Sequence, residues 1–361
     1  MDRNRWPRIR RRSLVGLIAL IVAAAGWPVL APTAQDQAQN QSLDEIFTRV
    51  SPTVVVVRSK GRDVGAGGIT HFTETGSGVL VGSDGRVMTA AHVVNGMDEI
   101  TVEGIGGEVV RATIISANAA ADVSLLQLER VTKAMRVARL GDSNGMRVGQ
   151  QVMVVGAPYG LAYSMSVGWI SARWPPRTIF PDMPLAEFLQ TTATINTGNS
   201  GGPVFNMAGE VIGIVSQNIS KSGGSEGLGF LVTINSARAL LIPRKVFWGA
   251  LQGILLTGRL ATVFNVPAPA GFLVKTVAQG STAWNMGLQG ADGVLTIGGK
   301  EIPVGGDIIL SVDDIPVVSE ENIEQIRNNL AGVPRGTPFK MNVLRAGKVL
   351  VLTGTTQGAS R

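Results

Sequence analysis

From Thr53 to Asn235 the chain is built of short apolar, β-branched runs, each parted from the next by a glycine-bearing stretch. They read VVVVRS, GSGVLVGS, GRVMTAAHVV, DEITVEG, DVSLLQL, QQVMVVGAP and GEVIGIVSQ. Runs this short suit strands better than amphipathic helices, and Ser83-Asp84-Gly85 and Ala208-Gly209 stand where hairpin turns belong. The pattern predicts an antiparallel barrel or sandwich. The 46 glycines and the low aromatic content of 5% fit the same turn-rich β reading.

A second region, residues 248–356, repeats the pattern in GFLVKTV, DIILSV, FKMNVLR and KVLVLTG. One helix is predicted there from Ser319 to Leu330. Ser319 is its cap, and Ile323, Ile326 and Leu330 share one face at i, i+3 and i+7. Ser236 to Trp248 joins the two regions, and residues 357–361 read as a loose tail.

The N-terminus carries an address. Six arginines between Arg3 and Arg12 precede an apolar run from Leu14 to Ala31, so residues 1–34 read as a signal peptide or an uncleaved membrane anchor. Both readings put the body across the inner membrane, in the periplasm or cell envelope, either secreted or tethered. Residues 35–44 form a polar linker, and Ser42 with Glu45 makes a capping box that opens a helix.

Charge and rare residues exclude several functions. The net charge of +6 sits almost wholly in the leader, because the other 327 residues hold 26 basic and 25 acidic groups. A body so balanced does not predict a nucleic-acid partner. There is no cysteine, which removes disulfides and thiolate metal sites. With only His71 and His92 present, a histidine-rich metal cage is excluded, and nothing suggests a cofactor.

Hydrolysing a peptide bond without a metal needs a nucleophile, a base, a group to orient the base, and donors for the oxyanion. Ser200 lies in Asn196-Thr197-Gly198-Asn199-Ser200-Gly201-Gly202-Pro203. Its flanking glycines allow a tight loop whose Gly198 and Ser200 N–H groups converge on one point as an oxyanion hole. His92, in Thr89-Ala90-Ala91-His92-Val93-Val94, reads as a histidine at the end of a buried strand, and His71 as a residue of a surface loop. Asp122 heads the run Asp122-Val123-Ser124-Leu125, where a buried carboxylate needs a partner. Asp142 is the competing acid, in an exposed turn. Alone, each of these is a plain turn or core residue. Together they fall in the order His, Asp, Ser, which is the chymotrypsin-type order and not that of subtilisins or α/β-hydrolases.

With these residues in hand, the chain from about residue 45 to 355 resembles an HtrA (Deg-type) serine protease followed by a single PDZ domain. Four blocks carry the resemblance: GSGVLV with GRVMTAAHVV at 76–94, ADVSLLQL at 121–128, LGDS through SVGWISA at 140–172, and QTTATINTGNSGGPVFNMAGEVIGIVSQ at 190–217. Gly280-Ser281-Thr282-Ala283, Gly306-Asp307-Ile308-Ile309 and Leu344-Arg345-Ala346-Gly347-Lys348 match the PDZ pattern.

The resemblance implies a mainly β fold, with a double β-barrel, chymotrypsin-like protease domain over 45–240 and a PDZ β-sandwich with one or two helices over 248–356. It implies an endopeptidase that degrades misfolded or signal-bearing proteins, a homotrimer with Phe47 at the interface, and a PDZ groove that captures peptide C-termini. Trp248, Gly249 and Ala250 then form the carboxylate loop, and Ile195 lines the S1 pocket. The stretch from Gln289 to Gly305 is longer than the family's usual connection, which predicts an extra turn or hairpin. Thr192 stands where the family usually has aspartate and Thr197 where it often has proline. These departures keep a second expectation open, a latent or non-proteolytic chaperone or PDZ binding protein. An esterase or acyltransferase fits less well.

Overall fold

The apolar runs are continuous where a half-buried strand alternates, and the reason lies in how two barrels share a core. The computed structural model describes residues 42–65, 67–220, 224–241, 251–297, 300–334 and 336–356. The expected leader, most of the linker, Trp248, Gly249, Ala250 and the tail lie outside the described residues. Among the described residues no helix is long and apolar enough to cross a membrane.

The first barrel comprises β1 (Val54–Gly65), β2 (Gly68–Leu80), β3 (Arg86–Thr89), β4 (Glu99–Glu103), β5 (Val109–Asn118) and β6 (Val123–Leu128). It closes in the order β1-β2-β3-β6-β5-β4. The second begins with the short flanking strand β7 (Arg139–Leu140). It continues through β8 (Gln151–Gly156), β9 (Ser164–Trp174), β10 (Phe188–Thr191), β11 (Pro203–Asn206), β12 (Glu210–Asn218) and β13 (Gly229–Thr233). Its ring, β8-β9-β10-β13-β12-β11, is closed by the β11–β12 and β11–β8 pairings and has the same cyclic order as the first. The fold is thus mainly β, with two six-stranded barrels and a C-terminal β domain.

Successive residues of a strand face opposite ways. In β1, Val55 and Val57 join Leu80, Val87 and Leu126 inside the first barrel. Val54 faces outward and joins Val79, Met88 and Leu125 in a core shared with Phe188, Phe205 and Phe230 of the second barrel. Val152, Val154, Leu189 and Ile212 fill the second interior. Each such side chain contributes about 1.5–3 kcal/mol on burial. The shared seam therefore binds the barrels strongly.

Turns follow the sequence reading. Gly85 has φ +92° and donates to Gly82 O at 3.0 Å. Gly209 has φ +74° and donates to Asn206 O at 2.9 Å. Helix Leu43–Val50 precedes β1, and the Ser42 N–H donates to Glu45 Oε2 at 3.3 Å as the capping box requires. Ile46 and Val50 of this helix are buried in the seam, with Phe47 half-buried against it. Helix Ile234–Leu241 follows β13.

The C-terminal domain holds β14 (Leu251–Thr257), β15 (Ala270–Val277), β16 (Gly293–Ile297), β17 (Lys300–Val304), β18 (Ile308–Val312), β19 (Ile315–Pro316), β20 (Pro338–Arg345) and β21 (Lys348–Thr355). Its sheet runs β14-β15-β18-β20-β21, with β19 on β18 and β14 at an edge. The hairpin expected between Gln289 and Gly305 is β16–β17. Helix Glu320–Gly332 is capped by Ser319, whose Oγ accepts from Asn322 N at 3.3 Å, and it buries Ile323, Ile326 and Leu330 against the sheet. Asp307 is fully buried. Arg345 donates to it through Nε at 2.6 Å and Nη2 at 2.7 Å, and Gln289 N donates at 2.9 Å. Three donors offset the cost of burying that carboxylate.

This domain is moored to the first barrel. Arg62 forks onto Asp98 at 2.8 and 3.2 Å and donates to Val277 O at 2.9 Å, while its guanidinium lies 5.3 Å over the Trp284 ring. Asp98 Oδ1 also accepts from Gln279 N at 2.8 Å. Lys275 pairs with Asp63 at 2.7 Å, and that contact holds the Asp63 carboxyl below the usual carboxylate range. Gln252 of β14 donates to Asn95 O, and Asn118 donates to Glu324 Oε1 at 3.1 Å.

Candidate active site

The β3–β6 pairing sets the site. Thr89 is opposite Ser124, so the chain leaving β3 and the chain entering β6 share one end of the barrel. His92 does not sit at the end of a strand as expected. It lies in a one-turn helix, Ala91–Val94, directly after β3. That turn aims the His92 backbone N–H at Asp122 Oδ1, 3.0 Å away, a contact an extended chain does not supply. Asp122 ends the helical turn Ala119–Ala121 with a left-handed φ of +51°, which aspartate tolerates better than most residues. The expectation that it heads β6 agrees with the strand beginning at Val123.

His92 Nδ1 lies 2.9 Å from both oxygens of the Asp122 carboxylate. The carboxylate only accepts, so the proton belongs on Nδ1 and Nε2 is left as the basic nitrogen. Asp122 is buried, 6% exposed, and takes a further hydrogen bond at Oδ2 from the Ser216 hydroxyl. Burial pulls the His92 pKa down. The hydrogen bond and charge of Asp122, with Glu74 adding to them, outweigh burial and hold it above the ordinary 6.5.

Ser200 shares a cavity of about 410 Å³ with His92, Asp122, Glu74, Ile195 and Ser216. Its Oγ donates to Ser216 O at 3.4 Å and makes no hydrogen bond to His92 among the described residues. The loop around it depends on glycine. Gly198 has φ +98°, and a Cβ there would collide with Ala157 O. The Thr197 carbonyl accepts from Tyr159 N at 2.8 Å and the Asn199 carbonyl from Gly202 N at 2.9 Å. A trans peptide points its N–H opposite its C=O. Both contacts therefore turn the Gly198 and Ser200 N–H groups away from these partners, and neither N–H has a protein acceptor among the described residues.

The remaining candidates fall as follows. Ile195 is 2% exposed, lines the Ser200 cavity, and packs so close to Gly229 that a Cβ there would meet its Cδ1. Thr192 is tied to β9 by two hydrogen bonds, each 3.0 Å: its N donates to Trp169 O and its Oγ1 accepts from Trp169 N. Asp142 is exposed and bonds Asn144 N and Asn235 Nδ2, at 2.9 and 2.6 Å. His71 is exposed on β2 opposite Arg62, and so stands in a strand where a loop was expected. Sequence reasoning missed Ser216 and Glu74. Ser216 had one usable signal, a lone hydroxyl in an apolar β12 run, which needs a buried partner. Glu74 had none.

The known proteins to which this chain is similar are peptidases. Residues 76–214 match the trypsin-like peptidase domain family. A probable periplasmic serine endoprotease DegP-like from Pseudomonas savastanoi pv. phaseolicola is 35% identical over 303 residues, 81% of this chain and 58% of the relative. A protein of the same description from Pseudomonas putida GB-1 is 37% identical over 279 residues, 76% of this chain and 54% of the relative. The chain thus spans less than two thirds of the length of these curated relatives. Among solved structures, the HtrA-type protease AlgW with a tripeptide has a TM-score of 0.50 and 27% identity, covering 87% of this chain and 96% of that one. AlgW with a decapeptide, at 24% identity and TM-score 0.50, covers 89% of this chain and 100% of that one and shares the fold. The chain carries a trypsin-like peptidase domain over residues 76–214 and is similar to HtrA-type, DegP-like proteases.

Proposed function

We propose that this chain is an envelope serine endopeptidase that degrades misfolded or signal-bearing proteins, with Ser200 as nucleophile, His92 as base and Asp122 as the group that orients the base. The observation that carries the reading is the His92–Asp122 pair, at 2.9 Å, opening on the cavity that holds Ser200. His92 Nε2 takes the Ser200 proton as Oγ bonds to the substrate carbonyl carbon. The carbonyl electrons move onto oxygen, where the Gly198 and Ser200 N–H groups hold them. The imidazolium then gives its proton to the departing amine, leaving an acyl-enzyme. Water repeats the sequence, releasing the acid and restoring Ser200.

Other features support the finer parts. The buried Ile195 wall favours small or medium apolar residues at P1. Among the described residues strand β14 is an edge of its sheet, and with helix Glu320–Gly332 it lines a cleft of about 480 Å³ that reaches His92 and includes Arg327. An extended peptide C-terminus adds to such an edge as a further strand, as in a PDZ groove. The periplasmic relatives support an address in the envelope, and the half-buried Phe47 supports a trimer interface. A second reading, an idle protease serving as a binding protein, is favoured by one observation: Ser200 Oγ faces Ser216 O and not His92.

Digestion of an unfolded protein by residues 35–361, wild type beside Ser200→Ala, separates the two. Cleavage by wild type alone supports the endopeptidase. Cleavage by neither, with C-terminal peptides added as well, leaves the binding protein. Fragment mapping that finds mainly Lys or Arg at P1 removes the Ile195 assignment, and light scattering of a monomer at micromolar concentration removes the trimer.

A further inference from the structure

The nucleophile loop belongs to the second barrel, yet two of its carbonyls are gripped by one residue of the first. Ser77 lies on β2, fully buried. Its Oγ donates to Gly198 O at 2.7 Å and accepts from Ala157 N at 2.9 Å. Its backbone N–H donates to Ser200 O at 2.8 Å. Its own carbonyl is held by Thr89 Oγ1 at 2.7 Å, which ties it to β3 just before the His92 turn.

These contacts matter because peptide groups are planar. Three successive peptides join Thr197 to Ser200. The first carries the Gly198 N–H and the third carries the Ser200 N–H, the two donors assigned to the oxyanion. The middle one, Gly198–Asn199, carries neither, but its plane sets the angle between the other two. It is pinned from both sides: Ser77 Oγ holds its carbonyl, and its N–H donates to Asn196 O at 3.0 Å. The fourth peptide, Ser200–Gly201, is pinned likewise, by Ser77 N at its carbonyl and by its own N–H to Val215 O at 2.7 Å. Gly198, with its φ of +98°, has a backbone that turns easily, so its carbonyl needs an outside hold.

The Ser77 hydroxyl also links this loop to its neighbour. It accepts from Ala157 N, and two residues on, Tyr159 N holds the Thr197 carbonyl. One buried side chain thus ties both loops that orient the first donor.

We propose that Ser77 is a positioning residue for the oxyanion site, with its hydroxyl holding the Gly198–Asn199 peptide so that the Gly198 and Ser200 N–H groups converge. The proposal rests on the endopeptidase reading above. Ser77 touches no reacting atom, so its loss lowers transition-state stabilisation and leaves substrate binding and the His92 titration in place.

The test is steady-state cleavage of a peptide substrate by the full chain in four forms: wild type, Ser200→Ala, Ser77→Ala and Thr53→Val. The Thr53 hydroxyl, buried and donating to Val50 O at 2.7 Å, is of the same kind but lies before the first barrel. Losing an oxyanion donor outright costs about 10²–10³-fold. Losing its support is expected to lower kcat about 10- to 100-fold, with KM within about twofold and the acidic limb of the pH profile unmoved. Thr53→Val is expected to keep wild-type kcat. The inference is overturned by an unchanged kcat in Ser77→Ala, by a change confined to KM, or by an equal loss in Thr53→Val. If Ser77→Ala does not fold, Ser77→Cys, a near-isostere with a weaker donor, carries the same readouts. Should Ser200→Ala still cleave, the endopeptidase reading itself fails. Should it be inert while Ser77→Ala matches wild type, only the positioning role does.

Discussion

The two barrels share a strand order but serve the site by different means. The first places its side chains by adjacency: β3 and β6 are neighbours, and His92 and Asp122 leave them at the same end within a few residues of a paired position. The second offers a long excursion between β10 and β11, with Ser200 near its close, and borrows hydrogen bonds from β2 and from the loop after β8 to shape it. The pair is fixed by its own sheet. The loop is fixed by what surrounds it. Ser200 Oγ has its long 3.4 Å bond on the loop side, while the His92–Asp122 contact is already at 2.9 Å.

The sharpest way to break this comparison is in the first barrel. Asp122→Asn leaves the sheet intact but reverses the hydrogen-bonding demand on Nδ1, so kcat is expected to fall about 10³–10⁴-fold. The same change tests the His92 pKa. The base must be neutral, so wild-type activity is lost as pH falls through a value above 6.5. Without the carboxylate that limb moves to lower pH. The sign for stability is opposite. A raised histidine pKa stabilises the fold fully below its unfolded value, and that contribution is lost as pH rises through the folded one. A pH series of rate and of urea midpoint reads both.

Gly198→Ala tests the second barrel. The added Cβ meets Ala157 O at a positive φ. About 1–3 kcal/mol of strain is expected, with kcat down about 10²–10³-fold as the donor turns away. A urea midpoint and a kcat measured side by side separate the two losses. The smallest effect is expected at the mooring of the C-terminal domain. Asp98→Ala frees Arg62 and Gln279 N, which is worth about 1–2 kcal/mol. It is expected to appear as roughly tenfold faster amide exchange in β15, with cleavage by the barrels little changed.

What was legible in the sequence follows the same division. His92, Asp122 and Ser200 each read alone as a plain turn or core residue, and it is their order along the chain that points to the chemistry, while the helix at Ser319 declares itself by cap and spacing. The residues that were not legible act across the chain. Ser216 meets Asp122 from 94 positions away and Ser77 meets Gly198 from 121. Ser216 is a lone hydroxyl in an apolar run and Ser77 one of several hydroxyls along β2, and nothing beside either names the partner. The His92 turn was misread because Ala-His-Val-Val has strand composition, and a tertiary contact with Asp122 overrides that preference.

Strands apolar on both faces raise a question of folding fidelity. A one-residue slip in a half-buried strand exposes its apolar set and is penalised at once. In β1, β8 or β12 a slip would merely trade one core for another. The glycines inside the strands supply the missing check. At Gly78 a Cβ would stand 2.9 Å from Val87 Cγ1, and at Gly213 one would stand 2.8 Å from Val232 O. Any register that brings a larger residue to those points is refused. These glycines act as keys cut into otherwise interchangeable strands, and the alignment that brings His92, Asp122 and Ser200 to one cavity depends on them.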